Sequence, residues 1–300
     1  MKNLTDIRQS DNWGKYLSTL GFYHKRTPGG VMMVFKKILG VSLVKIQRPR
    51  PLTTQDIKEI EDLGKQEKAA LIKIEPNIGQ DQSLLTEAGY ITSMTPLAVP
   101  TTIYIDLEKS EEDLWNSISH SGRYSIHRAE REGVQIKFYE NPPEESLTKF
   151  HEVFKETSEK KSFYMIPLRE TLSRAKSFGR ESFVVAAYDR EGKLAGAKLY
   201  LAHNGLVLYS LGGTTELARK TKAGYELLWR SILYFKGLGY KVMDLEGKND
   251  KRFPFFTSRW EGFSHFKEKF GGEEVRFPVP YTKFTNPILQ FMSKLIPVGF

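Results

Sequence analysis

The plan of the chain is clearest between Ser182 and Gly272, a stretch that begins SFVVAAYDREGKLAGAKLYLAHNGLVLYSLGG (182–213). Three β-rich runs, at 182–188, 194–202 and 206–211, are separated by turn residues. Asn204-Gly205 is a strong hairpin signal, because a type I′ turn needs positive φ at both central residues. Gly212-Gly213 then predicts a break, and the pattern beyond it predicts one helix over 216–236 and a buried strand over 241–245.

The earlier part of the chain repeats this general order without a literal sequence repeat. A hairpin is expected over 31–47, a helix over 54–68, a strand over 70–75, a short helix over 81–88 and a strand over 101–106. Asn141-Pro142-Pro143 is the best junction signal. We therefore predict a mixed α+β protein of the α/β class with a first domain at 1–141, completed by 278–300, and a second at 142–277. A last strand is expected at 274–280.

Composition limits the chemistry. The 300-residue chain has no cysteine, which excludes disulfides, thiolate nucleophiles and cysteine-ligated zinc. No metal site and no cofactor are predicted. The formal net charge of +9 favours polyanionic partners such as nucleic acid, phosphorylated substrates or anionic lipid. No apolar run is long enough for a membrane span, so we expect a cytoplasmic protein. The apolar, basic segment 286–300 is expected to be either a packed terminal helix or a membrane-surface anchor.

The element order between 182 and 272 resembles an acyltransferase domain of the GNAT kind. In that fold the central strands splay apart, and the donor pyrophosphate lies on amides at a helix N-terminus with the pattern Gln/Arg-x-x-Gly-x-Gly/Ala. The chain has Arg219-Lys-Thr-Lys222-Ala-Gly224, with Lys222 in place of the first glycine. A lysine there crowds a pyrophosphate while its charge attracts it, which argues against coenzyme A and favours a bulkier phosphate-bearing donor.

Three motifs carry a closer resemblance. They are SGRYSIHRA (121–129), GYKVMDLEG (239–247) and GFSHFKEKFGG (262–272). Together they resemble the Fem-type aminoacyltransferases, a tRNA-dependent branch of the GNAT superfamily that builds peptidoglycan interpeptide bridges. The resemblance implies two tandem GNAT-like domains, with the C-terminal segment returning to the first. It also implies transfer of an amino acid from aminoacyl-tRNA to the stem-peptide amine of a nucleotide- or lipid-linked muropeptide. No heptad run interrupts the second domain, so no coiled-coil insertion is expected.

The candidate site residues follow from these motifs. Lys267 matches the lysine of the family motif and is expected beside the oxyanion or a donor phosphate, although an exposed helix lysine is the plainer alternative. Asp244 is expected to accept a proton from the incoming amine or to cap a loop. Tyr209 is expected to hydrogen-bond the substrate or to belong to the core. The candidates for phosphate and substrate binding are Arg50, Arg123, Arg128, Phe266 and Lys222.

Three functions remain open from sequence. The favoured one is an aminoacyltransferase with aminoacyl-tRNA as donor and a muropeptide precursor as acceptor, acting as a monomer with a peripheral contact to the inner membrane surface. The second is an acyl-CoA-dependent N-acyltransferase acting on a sugar amine or small peptide. The third is a non-enzymatic basic protein that binds RNA or a membrane surface.

Overall fold

The computed structural model describes residues 4–161 and 165–285. The chain divides into two compact units, which are named here by their sheets. Among the described residues, the six-stranded unit comprises 5–101, 249–258 and 276–285, and the seven-stranded unit comprises residue 4 and the ranges 102–161, 165–248 and 259–275. The predicted tail segment 286–300 lies outside the described residues.

The elements are numbered along the chain. The strands are β1 (Tyr23–Arg26), β2 (Met32–Ile38), β3 (Val41–Gln47), β4 (Ala69–Glu75), β5 (Ile91–Thr92), β6 (Thr101–Asp106), β7 (Gln135–Glu140), β8 (Ser182–Tyr188), β9 (Leu194–His203), β10 (Leu206–Thr214), β11 (Val242–Asp244), β12 (Glu273–Arg276) and β13 (Tyr281–Phe284). The helices are α1 (Asp11–Thr19), α2 (Thr54–Gln66), α3 (Gln82–Glu87), α4 (Glu111–Ser117), α5 (His120–Arg131), α6 (Glu144–Lys161), α7 (Leu168–Phe178), α8 (Glu216–Thr221), α9 (Ala223–Gly237), α10 (Pro254–Thr257) and α11 (Glu261–Glu268).

The two sheets share one strand plan. The six-stranded sheet has the order β1-β2-β3-β4-β13-β5, and the seven-stranded sheet has the order β12-β6-β11-β10-β9-β8-β7. In each, three antiparallel strands are followed by one parallel pair, β3 with β4 and β10 with β11. An antiparallel strand, β13 or β6, then lies beside that pair. The strand plan therefore occurs twice in the chain, and β7 is an addition to the second copy.

Burial on both faces explains the apolar runs of the seven-stranded unit. Along β8, Phe183 and Val185 belong to the same apolar cluster as Leu227 and Phe235 of α9. Their neighbours Val184 and Ala186 belong to a second cluster, with residues of α6 and α7. Alternate side chains of a strand point to opposite faces, so a strand covered by helices on both sides needs apolar residues throughout.

Several local expectations need correction. The last strand was expected at 274–280, but β12 ends at Arg276 and a further strand, β13, lies beyond Pro280 between β4 and β5. Gly212-Gly213 does not break the chain, because β10 continues through both residues to Thr214. The single helix expected over 216–236 is two helices, since Lys222 has φ of 61° and interrupts the helical backbone.

The compact units also divide the chain at a different place from the predicted junction at 141–143. The division falls between Thr101 and Thr102, so α4, α5 and β7 belong to the seven-stranded unit. The physical reason is pairing: β7 forms six antiparallel pairs with β8, from Gln135↔Tyr188 to Glu140↔Phe183. Asn141 and the two prolines form a connection within one unit, because turn chemistry marks a loop and not a domain boundary as such.

Candidate active site

The parallel strands of the seven-stranded unit separate near their ends. Their pairing runs from Leu206↔Val242 to Leu208↔Asp244, where β11 ends, whereas β10 continues with β9 to Thr214. The register of β10 also shifts between Tyr209 and Leu211, which marks a β-bulge. Bulges bend a strand and redirect its side chains. The sheet is therefore open beyond Leu208, with Tyr209 as the first residue past the last pair.

The equivalent place in the six-stranded unit is closed. Strands β3 and β4 stay paired to their last residues, Gln47↔Glu75. Just beyond, buried Arg48 donates from Nη1 to the carbonyl of Pro76 at 2.8 Å and from Nη2 to that of Val99 at 2.7 Å. Internal hydrogen bonds thus fill the position at which the other sheet opens. The candidate site lies in the seven-stranded unit.

A buried lysine and a tyrosine meet at the opening. Lys198, on β9 and 2% exposed, donates from Nζ to Tyr209 Oη at 2.6 Å. The same Nζ lies 4.2 Å from the centroid of the Tyr209 ring and 5.3 Å from that of Phe266. Burial raises the pKa of Tyr209 above its ordinary value, so the phenol stays protonated. Because Tyr209 Oη accepts from Lys198, its own O–H is available as a donor in another direction.

Gly212 makes room for this tyrosine. A Cβ at Gly212 would lie 2.0 Å from Tyr209 Oη, and one at Gly213 would lie 2.6 Å from the carbonyl oxygen of Val153 in α6. A side chain at Gly212 would therefore displace the phenol, and one at Gly213 is excluded by the helix backbone. The Gly-Gly pair permits two close approaches within a continuous strand.

Lys267 is a second buried lysine near the opening. It is 6% exposed in α11 and donates from Nζ to the backbone carbonyls of Glu246, by a short contact, and of Gly247, at 2.9 Å. Its Nζ lies 5.5 Å from the centroid of the Tyr209 ring. Burial lowers the pKa of Lys267 to about 8, against the opposing influence of Glu246 and Asp244. The alternative of an exposed helix lysine does not apply, and Lys267 holds the loop that follows β11.

Asp244 lies at the end of β11 and is 1% exposed. Its Oδ1 accepts from the hydroxyl of Thr102 at 2.5 Å and from the amide of Glu246 at 2.8 Å. Both bonds position the turn in which Glu246 has φ of 50°, a left-handed conformation. The structure therefore shows Asp244 capping this loop. Its role as a base stays a prediction.

Phe266 connects the site to the start of α9. Its ring packs edge-to-face on Tyr225 at 5.0 Å and on Phe270 at 5.4 Å. Tyr225 belongs to the first turn of α9, directly after Lys222 and its left-handed backbone. Lys222 thus adopts the conformation that a glycine would favour at this point. Its role toward a phosphate stays a prediction.

The three predicted arginines are distributed over both units. Arg123 and Arg128 lie on α5 of the seven-stranded unit; Arg123 Nη1 donates to the carbonyl of Asn116 at 3.3 Å, and Arg128 lies 3.7 Å from Glu132. Arg50 belongs to the six-stranded unit and makes a bidentate pair with Asp56, with both N···O distances at 2.7 Å. Asp56 also completes the capping box of α2. The pyrophosphate-binding role of these three residues stays a prediction.

Sequence reasoning missed Lys198 and Thr102. Both lie in runs of β-rich residues that were interpreted only as strands. A signal was present for Lys198: a lysine inside a strand with apolar residues on both sides is expected to be buried, and lysine is almost never buried without a partner. No comparable signal marks Thr102, because its partner Asp244 is 142 residues away.

Comparison with known proteins supports the family interpretation. Residues 86–188, about a third of the chain, match the profile of the FemAB family. The Fem-type resemblance is confirmed. The match supports the prediction of an acyltransferase; it includes Arg123 and Arg128 but ends before Tyr209, Asp244 and Lys267. No curated protein matches the chain in sequence.

Solved structures establish the fold. FemX matches with a TM-score of 0.83 at 15% identity, over 98% of this chain and 95% of that chain. L-PGS from Bacillus licheniformis matches with a TM-score of 0.62 at 16% identity, over 98% and 96%. A tandem GNAT protein from the clavulanic acid biosynthesis pathway matches with a TM-score of 0.51 at 12% identity, over 86% and 79%. The predicted fold class, two tandem GNAT-like domains, is confirmed.

Two further features concern only residues 4–161 and 165–285. No coiled-coil insertion interrupts the seven-stranded unit there. Among the helices of the same residues, none combines the length and the apolar character that a membrane span requires.

Proposed function

We propose that this Fem-type protein is an aminoacyltransferase that moves an amino acid from aminoacyl-tRNA to an amine of a peptidoglycan precursor. The observation that carries the proposal is the pair of buried lysine side chains, Lys198 and Lys267, that lie near the Tyr209 phenol where the sheet opens. Two lysine side chains and a hydroxyl donor that are shielded from water suit an oxygen that becomes negative during a reaction.

The reaction has one demand that this site meets. The acceptor amine attacks the ester carbonyl of the donor, so a C–N bond forms and the carbonyl oxygen becomes an oxyanion. The C–O bond to the ribose then breaks, the amine loses a proton and the ribose oxygen gains one. Tyr209, kept protonated by burial and oriented by Lys198, is suited to donate a hydrogen bond to the oxyanion. Lys267 adds positive charge beside it, and the bond from Thr102 to Asp244 keeps the adjoining loop in place.

The donor is proposed from two features. The first is the family match, and the second is Lys222 at the start of α9, where coenzyme A-dependent members of the fold use glycine to let phosphates approach the backbone. The formal net charge of +9 is also suited to a nucleic-acid donor. Use of aminoacyl-tRNA would place the reaction in the cytoplasm.

The acceptor is proposed to be a stem-peptide amine of a muropeptide. The pyrophosphate of a nucleotide- or lipid-linked precursor matches arginine forks such as those of Arg123 and Arg128 on α5. The C-terminal domain of a putative lysylphosphatidylglycerol synthetase has the same fold, so a lipid acceptor is included in the test below.

The test is a set of transfer reactions with the purified protein. Labelled aminoacyl-tRNA and labelled acetyl-CoA are each supplied with a lysine-containing muropeptide precursor or with phosphatidylglycerol vesicles. We expect label to move from tRNA to the muropeptide. Label on phosphatidylglycerol would retain the donor and replace the acceptor, and no transfer from tRNA to either acceptor would contradict the proposal.

The site assignment is tested by substitution. Lys267→Met and Lys198→Met are each expected to reduce transfer about 10²–10³-fold, the loss typical for removal of one oxyanion-stabilising donor. Lys269→Met, two residues from Lys267 and only partly buried, removes a charge of the same sign from the same segment and is expected to retain activity. Equal activity of Lys267→Met and Lys269→Met would remove the role of Lys267.

An acyl-CoA donor is the second candidate, and one observation favours it. The backbone at Lys222 keeps the left-handed conformation that suits the first glycine of the phosphate-binding pattern, and Gly224 follows in the first turn of α9. The backbone amides at the start of this 15-residue helix can then donate hydrogen bonds to an anion. Saturable binding of coenzyme A, together with transfer only from acetyl-CoA, would establish this alternative.

A further inference from the structure

The hairpin between β2 and β3 has an unusual turn. Leu39 has φ of 48° and Gly40 has φ of 84°, the left-handed pair that a type I′ turn requires. In the seven-stranded unit the corresponding hairpin between β9 and β10 uses Asn204-Gly205 with nearly the same angles, 45° and 81°. Asparagine tolerates this conformation, whereas leucine is disfavoured in it. The six-stranded unit therefore places a leucine where local chemistry selects a polar residue.

Burial does not offset the conformational cost of this leucine. Leu39 is 100% exposed, and its neighbours Ile38 and Val41 are 45% and 41% exposed. These three residues and Gly40 form the hairpin tip, defined as Ile38–Val41. Aliphatic side chains concentrated at a protruding turn indicate a surface that binds something apolar.

The surroundings of the hairpin tip are basic. Lys37, the residue before Ile38, is exposed and pairs in register with Ser42. The amide of Ser42 donates to the carbonyl of Lys68 at 3.0 Å, which brings a second exposed lysine beside the turn. Glu67, the residue before Lys68, is acidic; its carboxylate accepts from Lys25 and from the Tyr23 hydroxyl, and it also attracts Lys37. Lys25, Lys37 and Lys68 outnumber this carboxylate, so the charge of this group of residues beside the tip is net positive.

We propose that the hairpin tip inserts into an anionic lipid surface, with Lys37 and Lys68 at the level of the headgroups. An apolar tip flanked by lysines matches an anionic bilayer, in which hydrocarbon lies below a layer of negatively charged headgroups. A nucleic acid would match the lysines but not the aliphatic tip, because base recognition uses aromatic stacking and hydrogen bonds. This surface lies outside the candidate active site, in the other unit.

The segment that follows β13 is an alternative to lipid as the partner of the hairpin tip. β13 is antiparallel to β4, and Thr285 donates from its amide to the carbonyl of Ala70 at 3.1 Å. The chain therefore leaves the sheet at the end that carries the hairpin tip, and the sequence 286–300 is apolar and basic. Coverage of the tip by this segment, in place of lipid, is a distinct outcome of the experiment.

The absence of cysteine from the sequence makes a direct test simple. Leu39→Cys in the full-length protein carries a single environment-sensitive fluorophore. Met94→Cys is the matched control, because Met94 is 63% exposed in the same unit. It lies at the other end of the sheet from the hairpin tip: the amide of the adjacent Ser93 donates to the carbonyl of Pro280, the residue before β13 begins. With vesicles containing phosphatidylglycerol, we expect a blue shift and a several-fold rise in emission from position 39 only, and a much weaker response with phosphatidylcholine alone.

Three results would overturn the proposal. One is no response at position 39, a second is an equal response at position 94, and a third is apolar emission at position 39 without vesicles, which would show that the chain itself covers the tip. Leu39→Asn, which copies the Asn204-Gly205 turn, is expected to fold normally and to bind these vesicles about tenfold more weakly. Lys37→Gln and Lys68→Gln are each expected to weaken binding about fivefold.

Two activity measurements separate this inference from the proposed function. Transfer to a soluble acceptor is expected to be unchanged in Leu39→Asn, because the tip belongs to a different unit from the candidate site. RNA binding is expected to be unchanged as well. A loss of RNA binding without a loss of vesicle binding would replace lipid with nucleic acid as the partner.

Discussion

Lys267→Met should change how the stability of the protein depends on pH. Burial lowers the pKa of Lys267 to about 8 from an ordinary value of 10.5 in the unfolded chain. Between these values the unfolded state binds the extra proton, so the free energy of unfolding rises with pH. The stability gained by burying Lys267 in its neutral form is complete above the pKa of the unfolded chain, and it is lost as the pH falls through about 8. Methionine removes this dependence and leaves the other titrating groups unchanged.

The expected magnitude follows from the two pKa values. The full difference is about 3 kcal/mol, since each tenfold change in proton affinity is worth about 1.4 kcal/mol. From about pH 7 to about pH 9.5 the wild-type protein should gain about 2 kcal/mol more than Lys267→Met. The two backbone carbonyls that lose their donor shift the variant's curve by an amount that does not depend on pH.

Urea denaturation at several pH values measures this difference. Tryptophan fluorescence is a suitable signal, because Trp115, Trp229 and Trp260 lie in the same unit as Lys267. Lys109→Met, which removes an exposed lysine of that unit, is the control and should give a curve parallel to that of the wild type. A parallel curve for Lys267→Met would refute the inference that a buried ammonium group lies at this site.

The pH dependence of transfer tests the role of the same group. If Lys267 acts as a cation beside the oxyanion, the rate should fall as the pH rises through about 8, because the ammonium loses its proton there. A rate that rises over this range and is lost in Lys267→Met would instead assign the neutral amine as a base. That result would contradict the proposed electrostatic role while leaving the residue in the site.

Three further substitutions test the geometry. Gly212→Ala should displace the Tyr209 hydroxyl, which lies 2.0 Å from the added Cβ, and lower transfer about tenfold or more with the fold retained in circular dichroism. Thr102→Val removes the 2.5 Å hydrogen bond to Asp244 and should cost about 1–3 kcal/mol in urea denaturation, with Thr102→Ser close to wild type. Lys222→Gly removes a side chain that disfavours the left-handed backbone at this position. After the entropy cost of glycine, the variant should be more stable by about 0.5–1 kcal/mol, which thermal denaturation would show as a higher midpoint. A lower midpoint would show that the lysine side chain stabilises the helix junction.

Much of the fold was predictable because its signals are local. Asn204-Gly205 predicted the β9–β10 hairpin through turn chemistry, and the observed register begins at Leu206↔His203. The motif around Lys267 also directed attention to a segment that lies beside the opening of the sheet. Other features were not predictable in this way: β13 is a four-residue strand whose partners lie about 200 residues earlier, so no local pattern announces it.

The candidate site was only half predictable for the same reason. Tyr209, Asp244 and Lys267 were singled out from their positions relative to strands and motifs, and the structure brings them to one opening of the sheet. Lys198 was missed because its role depends on a neighbour across the β9–β10 pair. The glycine pair at 212–213 was misinterpreted because a close approach by a phenol and a helix has no signature in the glycines themselves.

The sequence by itself determined the two-fold repetition of elements, the hairpin turns, the absence of thiol chemistry and the resemblance to Fem-type proteins. Each of these is encoded by neighbouring residues or by composition. Tertiary structure alone decided that one sheet opens while the other is closed by Arg48, that Lys198 and Lys267 are buried around Tyr209, and that Leu39 is exposed at a strained turn. These properties depend on contacts and solvent exclusion between distant segments, which determine hydrogen bonding, pKa and accessibility only after the chain has folded.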